Sequence, residues 1–138
     1  EKGNTSVLGG VPRSLPALVK AMRIQEKASG IGFDWENGEQ VWSKVEEEIK
    51  EFKAEMQAER VDSKRKNEEF GDVLFSLINY ARFQGINPEE ALERTNKKFI
   101  KRFQYLERAS KKEGKLLSEM TLSEMDIYWE EAKKGEKN

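Results

Sequence analysis

The chain has 138 residues, of which 36% are hydrophobic and 37% are charged, with 25 basic against 26 acidic side chains. This length predicts one folding domain, and the balanced charge gives no global field that would attract a nucleic acid or an anionic membrane. Cysteine and histidine are both absent, which excludes disulfides, thiolate or imidazole metal sites and the commonest general base. No apolar run approaches the ~20 residues of a membrane span, and we expect a cytoplasmic protein.

The N-terminal part of the chain predicts a flexible lead-in followed by one helix. Residues 1–13 are rich in glycine and include Pro12, which suits no regular element. Ser14 then has the character of an N-cap, and the first helix is predicted to end near Gly30. In the loop 30–35, aromatic side chains stand among glycines. Two interpretations stay open for it: a hydrophobic plug that folds back on the core, or a lid over a substrate.

The next two helices are predicted at 39–59 and 64–84 from their hydrophobic periodicity. Each helix has an apolar stripe and, beside it, a flank of charged side chains. Gly71 inside the second of them costs ~1 kcal/mol relative to Ala, which suggests close approach of another helix or a ligand. The predicted buried stripes are Val45, Ile49, Phe52 and Met56 on the one helix and Phe70, Leu74, Leu77 and Ala81 on the other.

Capping signals predict the last two helices. Asn87 as N-cap and Pro88 at the first helical position open a helix to about Lys112. Thr121 and Glu124 form a second capping box before a short last helix, and residues 135–138 are predicted to be a disordered tail. No segment alternates with period two, so the fold class is all-α, a bundle of four to five helices. The inward residues predicted for the fourth helix are Leu92, Thr95, Phe99, Phe103 and Leu106.

Two pairs of carboxylates point to a metal site. Glu48 and Glu51 lie one helical turn apart, about 60° around the helix, and Glu69 and Asp72 have the same spacing on the next helix. If the two helices pack antiparallel, all four carboxylates can converge on one spot. Carboxylates ~6 Å apart repel by about 3 kcal/mol at an effective dielectric constant of ~20. A fold that gathers four of them therefore indicates a hard counter-ion such as Mg²⁺.

The charges are balanced overall but sorted along the chain. Residues 36–59 hold eight acidic against three basic side chains, and residues 94–115 hold nine basic against two acidic ones. An acidic region beside a basic one suits a cation together with a polyphosphate, because Lys and Arg bind the phosphate oxygens that the cation leaves exposed.

These blocks together resemble the MazG nucleoside triphosphate pyrophosphohydrolases, members of the all-α NTP pyrophosphatase superfamily. The likeness rests on Glu47-Glu48-x-x-Glu51, on Glu69-x-x-Asp72 with Val73-Leu74-Phe75 after it, and on flanking blocks at 11–18, 32–35 and 96–103 and Trp129. The flanking blocks resemble the C-terminal domain of two-domain members. We therefore expect a catalytic MazG-like domain at 14–134 and an N-terminal MazG domain in a longer parent chain.

The resemblance implies Mg²⁺-dependent hydrolysis of (d)NTP to (d)NMP and pyrophosphate, with Mn²⁺ as a substitute, as house-cleaning of the nucleotide pool. It also implies a homodimer or a dimer of dimers, which the large apolar side chains of short helices favour independently. Glu47 and Glu48 would be catalytic, with Glu47 orienting the attacking water. The implied metal ligands are Glu48, Glu51, Glu69 and Asp72, and the implied substrate-binding residues are Lys44, Arg65, Asn96, Lys98, Arg102, Trp129 and Lys133.

Other classes of protein fit the sequence less well. A non-catalytic helical dimerisation module, with its acidic clusters as solvated faces, stays the main alternative. A di-iron carboxylate bundle requires Glu-x-x-His pairs, which a chain without histidine cannot provide. A nucleic-acid binder built on residues 94–115 is disfavoured because the neighbouring acidic helix would repel a duplex.

Overall fold

The computed structural model describes residues 6–136, and within them it contains helices and turns but no strand. This confirms the all-α prediction. The predicted lead-in and tail lie partly outside the described residues, at 1–5 and 137–138. Among the described helices, none combines the length and the apolar character that crossing a membrane would require. The helices are α1 (Ala17–Gly30), α2 (Gly38–Met56), α3 (Ser63–Phe83), α4 (Pro88–Lys112) and α5 (Leu122–Gly135), with a 3₁₀ turn at Leu117–Glu119 between the last two.

The chain divides into two compact units, one ending at Glu89 and the other beginning at Glu90. The first unit contains α1, α2 and α3. The second contains α5 and all of α4 beyond its first two residues. Each unit is described by itself below.

Local capping explains where the helices of the first unit begin. The Asn37 side chain accepts a hydrogen bond from the Gln40 amide at 3.0 Å, which caps α2. Asp62 caps α3 in the same way through the Lys64 amide, also at 3.0 Å. The prediction of Ser14 as the N-cap of α1 is wrong, because Pro16 occupies that position. A residue that precedes proline is disfavoured in the helical region, so α1 starts only after Pro16.

Helices α2 and α3 are antiparallel. Phe52, late in α2, contacts Phe70, early in α3, with ring centroids 5.4 Å apart. Trp42, early in α2, contacts Tyr80, late in α3, at 4.9 Å, so the two helices run in opposite directions. The buried core lies toward the α2 N-terminus, where Val41 and Val45 are 1% and 0% exposed. Helix α1 packs against α3 and contributes the buried Ala21.

The predicted buried stripe of α3 is wrong for this chain by itself. Phe70, Leu74 and Leu77 are 49%, 47% and 40% exposed, whereas Val73 and Ile78 are buried. Helix α3 therefore has two apolar faces. α1 and α2 bury one of them and leave the other largely exposed, although Phe70 contacts Phe52 of α2. The end of the α2 stripe is also exposed, at Met56, because the helix ends there.

In the second unit, the predicted capping box of α5 is confirmed. The Glu124 amide donates to Thr121 Oγ1 at 3.1 Å, and the Thr121 amide donates to Glu124 Oε1 at 2.8 Å. The predicted inward face of α4 is mostly wrong, because only Leu106 is buried among the residues assigned to it. Among the described residues of this unit, α5 is the only other long helix, and it covers one side of α4 alone. The exposed members are Leu92, Thr95, Phe99 and Phe103.

Candidate metal centre

Three carboxylates meet between α2 and α3. Glu48 and Glu51 project from α2 and Glu69 from α3, and one oxygen of each lies within 4.8 Å of the others. Glu48 is buried, Glu69 is half-buried and Glu51 is exposed. The helical spacing and the antiparallel packing together produce this cluster, as expected from the sequence.

Two oxygens of the cluster have no hydrogen-bond partner among the described residues. They are Glu48 Oε2 and Glu69 Oε2, and both are buried. A buried carboxylate oxygen without a partner costs ~1–3 kcal/mol or more. Partial burial raises the pKa of the Glu69 carboxyl, and the charges of Glu51 and Asp72 raise that pKa further. All of these features fit a small hard cation, which would be coordinated by oxygen and would offset the repulsion.

Asp72 is the member of the predicted ligand set that the cluster does not include. It follows Glu69 by one helical turn and is exposed. Its charge acts on Glu69 strongly enough to raise the pKa of that carboxyl, so Asp72 lies beside the cluster. Its role as a ligand stays a prediction.

Lys44 connects the two neighbouring glutamates of α2. Its Nζ lies 2.8 Å from Glu48 Oε1 and 3.0 Å from Glu47 Oε2. The hydrogen bond to Glu48 is the main cause that raises the pKa of Lys44, and the one to Glu47 raises it further, so Lys44 stays charged. Glu48 Oε1 is thereby satisfied, while its Oε2 is the oxygen left without a partner. Glu47 is exposed and paired with Lys44, and its role in orienting water stays a prediction.

Arg65 lies on the other side of the cluster, at the start of α3. Its Nε donates to Glu55 Oε1 at 2.7 Å, and one terminal nitrogen lies 3.6 Å from Glu69 Oε1. A cavity of about 430 Å³ opens beside it, lined by Glu51, Ala54, Glu55, Arg65 and Glu69. Glu55 was not among the predicted site residues, although its position four residues after Glu51 places it on the same side of α2.

The α1–α2 loop does not form the hydrophobic plug that one interpretation of the sequence predicted. Phe33 is 80% and Ile31 66% exposed. Asp34 fixes the loop to α3 instead, since Arg82 donates to both of its carboxylate oxygens at 3.0 and 2.7 Å. The loop borders a cavity of about 530 Å³, which we call the loop cavity, lined by Leu8, Ile24, Gln25, Ala28, Gly32, Phe33, Asp34, Trp35, Phe75, Asn79 and Arg82.

The predicted substrate-binding residues of the second unit form one compact group and several solvated side chains. Arg102 Nε and its terminal nitrogen bind the two oxygens of Glu136 at 2.7–3.1 Å. The guanidinium also lies over the Trp129 ring at 5.6 Å, and that ring contacts Phe99 at 5.0 Å. The other three predicted substrate-binding residues of this unit make only long contacts or are exposed. Asn96 donates to Glu93 at 3.4 Å, Lys133 lies 3.8 Å from Glu130, and Lys98 is exposed.

The fold and the cluster define a class of protein: an all-α domain in which two antiparallel helices bring carboxylates together in a cluster that could hold a metal ion. Residues 36–106 match the model of the MazG nucleotide pyrophosphohydrolase domain, and the chain belongs to the MazG family. This confirms the resemblance drawn from the acidic motif and its flanking blocks.

Curated relatives agree with this assignment. The chain is 44% identical over 138 residues to the nucleoside triphosphate pyrophosphohydrolase/pyrophosphatase MazG of Thermotoga maritima, covering 99% of this chain and 52% of that protein. It is 39% identical over 136 residues to the nucleoside triphosphate pyrophosphohydrolase of Escherichia coli K12, with 99% and 52% coverage. It is also 50% identical over 133 residues to the uncharacterized protein YabN of Bacillus subtilis, covering 96% of this chain and 27% of that one. The chain thus spans about half the length of the first two relatives.

The Asp34–Arg82 pair predicts an acid-dependent loss of stability. The hydrogen bond from Arg82 is the main cause that lowers the pKa of Asp34 from 3.8 to about 2. Because the folded-state pKa is depressed, the pair stabilises fully above about pH 4 and its contribution falls as the pH drops toward 2. We expect Arg82→Met to lower the free energy of unfolding by about 1 kcal/mol at neutral pH, and the difference from the wild type to shrink as the pH falls through about 2. The difference that remains in acid comes from the hydrogen bonds of Arg82 to Asn79 Oδ1 at 3.1 and 2.7 Å, which involve no carboxyl group.

Chemical denaturation across this pH range measures the difference. Arg23→Met is the control, since Arg23 is exposed and its contact with Glu26 is long, at 3.7 Å. A difference between the wild type and Arg82→Met that stays constant from neutral to acidic pH would contradict the role of Asp34 ionisation.

Proposed function

We propose that this domain is a divalent-cation-dependent pyrophosphohydrolase that converts (d)NTP to (d)NMP and pyrophosphate. The observation that supports this most is the cluster of Glu48, Glu51 and Glu69, with its two partnerless buried oxygens. Membership of the MazG family and the names of the Thermotoga and Escherichia relatives support the same activity. House-cleaning of the nucleotide pool is the role we propose for it.

Mg²⁺ is the cation we propose, held by the three clustered carboxylates and Asp72, and Mn²⁺ would substitute for it. When bound, the cation would neutralise phosphate charge and make a nearby water more acidic. Glu48 is prepared for this role by Lys44, which occupies its Oε1 and leaves Oε2 for the cation.

The remaining chemistry falls to the side chains of the chain itself. We assign Glu47 to orient the water that attacks the α-phosphorus and to accept its proton, since Glu47 is exposed, is next to Glu48 in the chain and is held by Lys44 Nζ at 3.0 Å. Pyrophosphate is a good leaving group, so its departure needs no strong general acid. This matters in a chain that has no histidine.

Lys44 and Arg65 are the proposed phosphate contacts of the first unit, because they lie beside the cluster and present charged donors. In the second unit we propose the same role for Arg102, whose fork already binds an oxyanion at Glu136 in bidentate geometry. Asn96, Lys98 and Lys133 are proposed to assist it. For the nucleobase, the aromatic surfaces we propose among the described residues are Trp129 and the loop cavity with Trp35. The loop cavity has the size and mixed lining of ligand pockets.

The first prediction concerns the products. Incubation with the eight common (d)NTPs and Mg²⁺ in water labelled with heavy oxygen should give pyrophosphate and a labelled nucleoside monophosphate. Mass spectrometry locates the label. Label in the pyrophosphate would mean attack at the β-phosphorus, and orthophosphate as the first product would refute the assignment.

A second prediction concerns the cation. Because it would relieve repulsion among the carboxylates, Mg²⁺ at about 100 times its dissociation constant should stabilise the fold by roughly 2.7 kcal/mol, seen as a higher melting temperature. Glu48→Gln and Asp72→Asn should lose this shift and the activity while keeping the helical circular dichroism. The control is Glu46→Gln, an exposed position on the same helix, which should keep both. A wild-type melting curve that is indifferent to Mg²⁺ would count against the site.

A third prediction concerns assembly, which also bears on the alternative of a non-catalytic dimerisation module. We propose a homodimer or a dimer of dimers that covers the exposed face of α3, where Leu74 is 47% exposed. Light scattering should give a multiple of 16.0 kDa, and Leu74→Glu should shift the protein toward the monomer. Leu122→Glu is the control, since Leu122 is 79% exposed. A wild-type particle of 16.0 kDa would contradict the dimer, and absence of metal-dependent pyrophosphate release would favour the module.

A further inference from the structure

Glu55 is a partly enclosed carboxylate that borders the metal centre without belonging to it. Its side chain is only 12% exposed, and it lines the same cavity as Glu51 and Glu69. The clustered oxygens nevertheless come from Glu48, Glu51 and Glu69. Glu55 uses its Oε1 to accept the hydrogen bond from Arg65 Nε at 2.7 Å.

This hydrogen bond determines which edge of the guanidinium stays available. Arg65 is 63% exposed along its side chain, so little else restrains it. Binding through Nε anchors one edge of the planar group and leaves terminal N–H donors for other acceptors. One terminal nitrogen lies 3.6 Å from Glu69 Oε1, which is too far for a hydrogen bond. Arg65 therefore neutralises part of the cluster's charge without occupying the oxygens of Glu69.

Without Glu55, the Arg65 guanidinium could bind a carboxylate of the cluster itself. Arginine and carboxylate readily form a two-fold hydrogen-bonded fork, and Glu69 is the nearest carboxylate after Glu55. Such a fork would take the Glu69 oxygens away from the cation. It would also take the terminal N–H groups of Arg65 away from a phosphate.

We propose that Glu55 is a positioning residue that holds Arg65 off Glu69 and directs its terminal nitrogens toward the phosphates of the nucleotide. The inference rests on the proposed function, since it assigns Arg65 to phosphate binding. Glu55 touches neither substrate nor cation in this role and acts only through Arg65.

The test is a double-mutant cycle of Glu55→Ala, Arg65→Ala and both together. Calorimetry measures the binding of Mg²⁺ alone, and then of a nucleotide analogue with a methylene group between its α- and β-phosphorus, which needs no turnover. Steady-state kinetics give kcat and KM separately. Glu46→Ala is the matched control, an exposed carboxylate on the same helix, and circular dichroism checks that each variant is folded.

The effect of adding Arg65→Ala to Glu55→Ala is expected to differ between the two ligands. Glu55→Ala should weaken Mg²⁺ binding about tenfold, which is about 1.4 kcal/mol, and the added Arg65→Ala should restore it by removing the competing guanidinium. For the analogue, each single variant should weaken binding, and the double variant should be no worse than Arg65→Ala alone. KM should rise more than kcat falls. A merely structural role of Glu55 would not be rescued by a second deletion.

Other outcomes would overturn the inference. Weak Mg²⁺ binding that persists in the double variant would make Glu55 a ligand of the cation. Additive losses of analogue binding would mean that Glu55 acts independently of Arg65, and a Glu55→Ala variant equal to the wild type would leave it no role. Failure of the proposed function is distinguishable, because it would appear as a wild-type protein that releases no pyrophosphate, whatever the binding cycle gives.

Discussion

The organisation of the first unit depends on the repulsion among carboxylates that α2 and α3 bring together. Glu48, Glu51 and Glu69 place oxygens within 4.8 Å of one another, and burial of part of this group weakens the screening that water would give. Left alone, such a cluster would push the two helices apart. The chain offsets the repulsion with one basic side chain on each side of the cluster, Lys44 on α2 and Arg65 on α3. A cation would complete this compensation.

Lys44 and Arg65 act on the cluster in different ways because their side-chain chemistry differs. Lys44 is a compact charge that binds the buried Glu48 directly and faces its own helix. Arg65 is a planar fork, so it can be anchored at Glu55 by one edge and still present donors elsewhere. The contact of Lys44 orients the Glu48 carboxylate, and the anchoring of Arg65 keeps a positive charge near the cluster without occupying the Glu69 oxygens. Exchanging the two residue types would lose both effects.

The sequence predicted those features that follow from helical periodicity and capping. Spacing by one turn placed Glu48 with Glu51, and antiparallel packing brought Glu69 to them; the capping box at Thr121 formed as expected. Burial could not be predicted in the same way. The apolar residues of α3 lie on two faces, and periodicity alone does not say which face a single chain covers, so Leu74 was assigned to the core and is exposed. The Asp34–Arg82 pair joins residues 48 positions apart, a contact that no local pattern specifies.

The position of the cluster along the helix pair would give a bound cation a structural role in addition to the proposed catalytic one. The most deeply buried side chains, Val41 and Val45, lie toward the end of the pair that is remote from the α2–α3 connection. The carboxylates lie nearer that connection, where the neighbouring aromatic contact of Phe52 with Phe70 is still partly open, Phe70 being 49% exposed. Apolar packing around Phe70 is therefore less complete than at Val41 and Val45. A cation bound by ligands from both helices would join α2 to α3 at that end. The free energy of cation binding would then add to the free energy of unfolding.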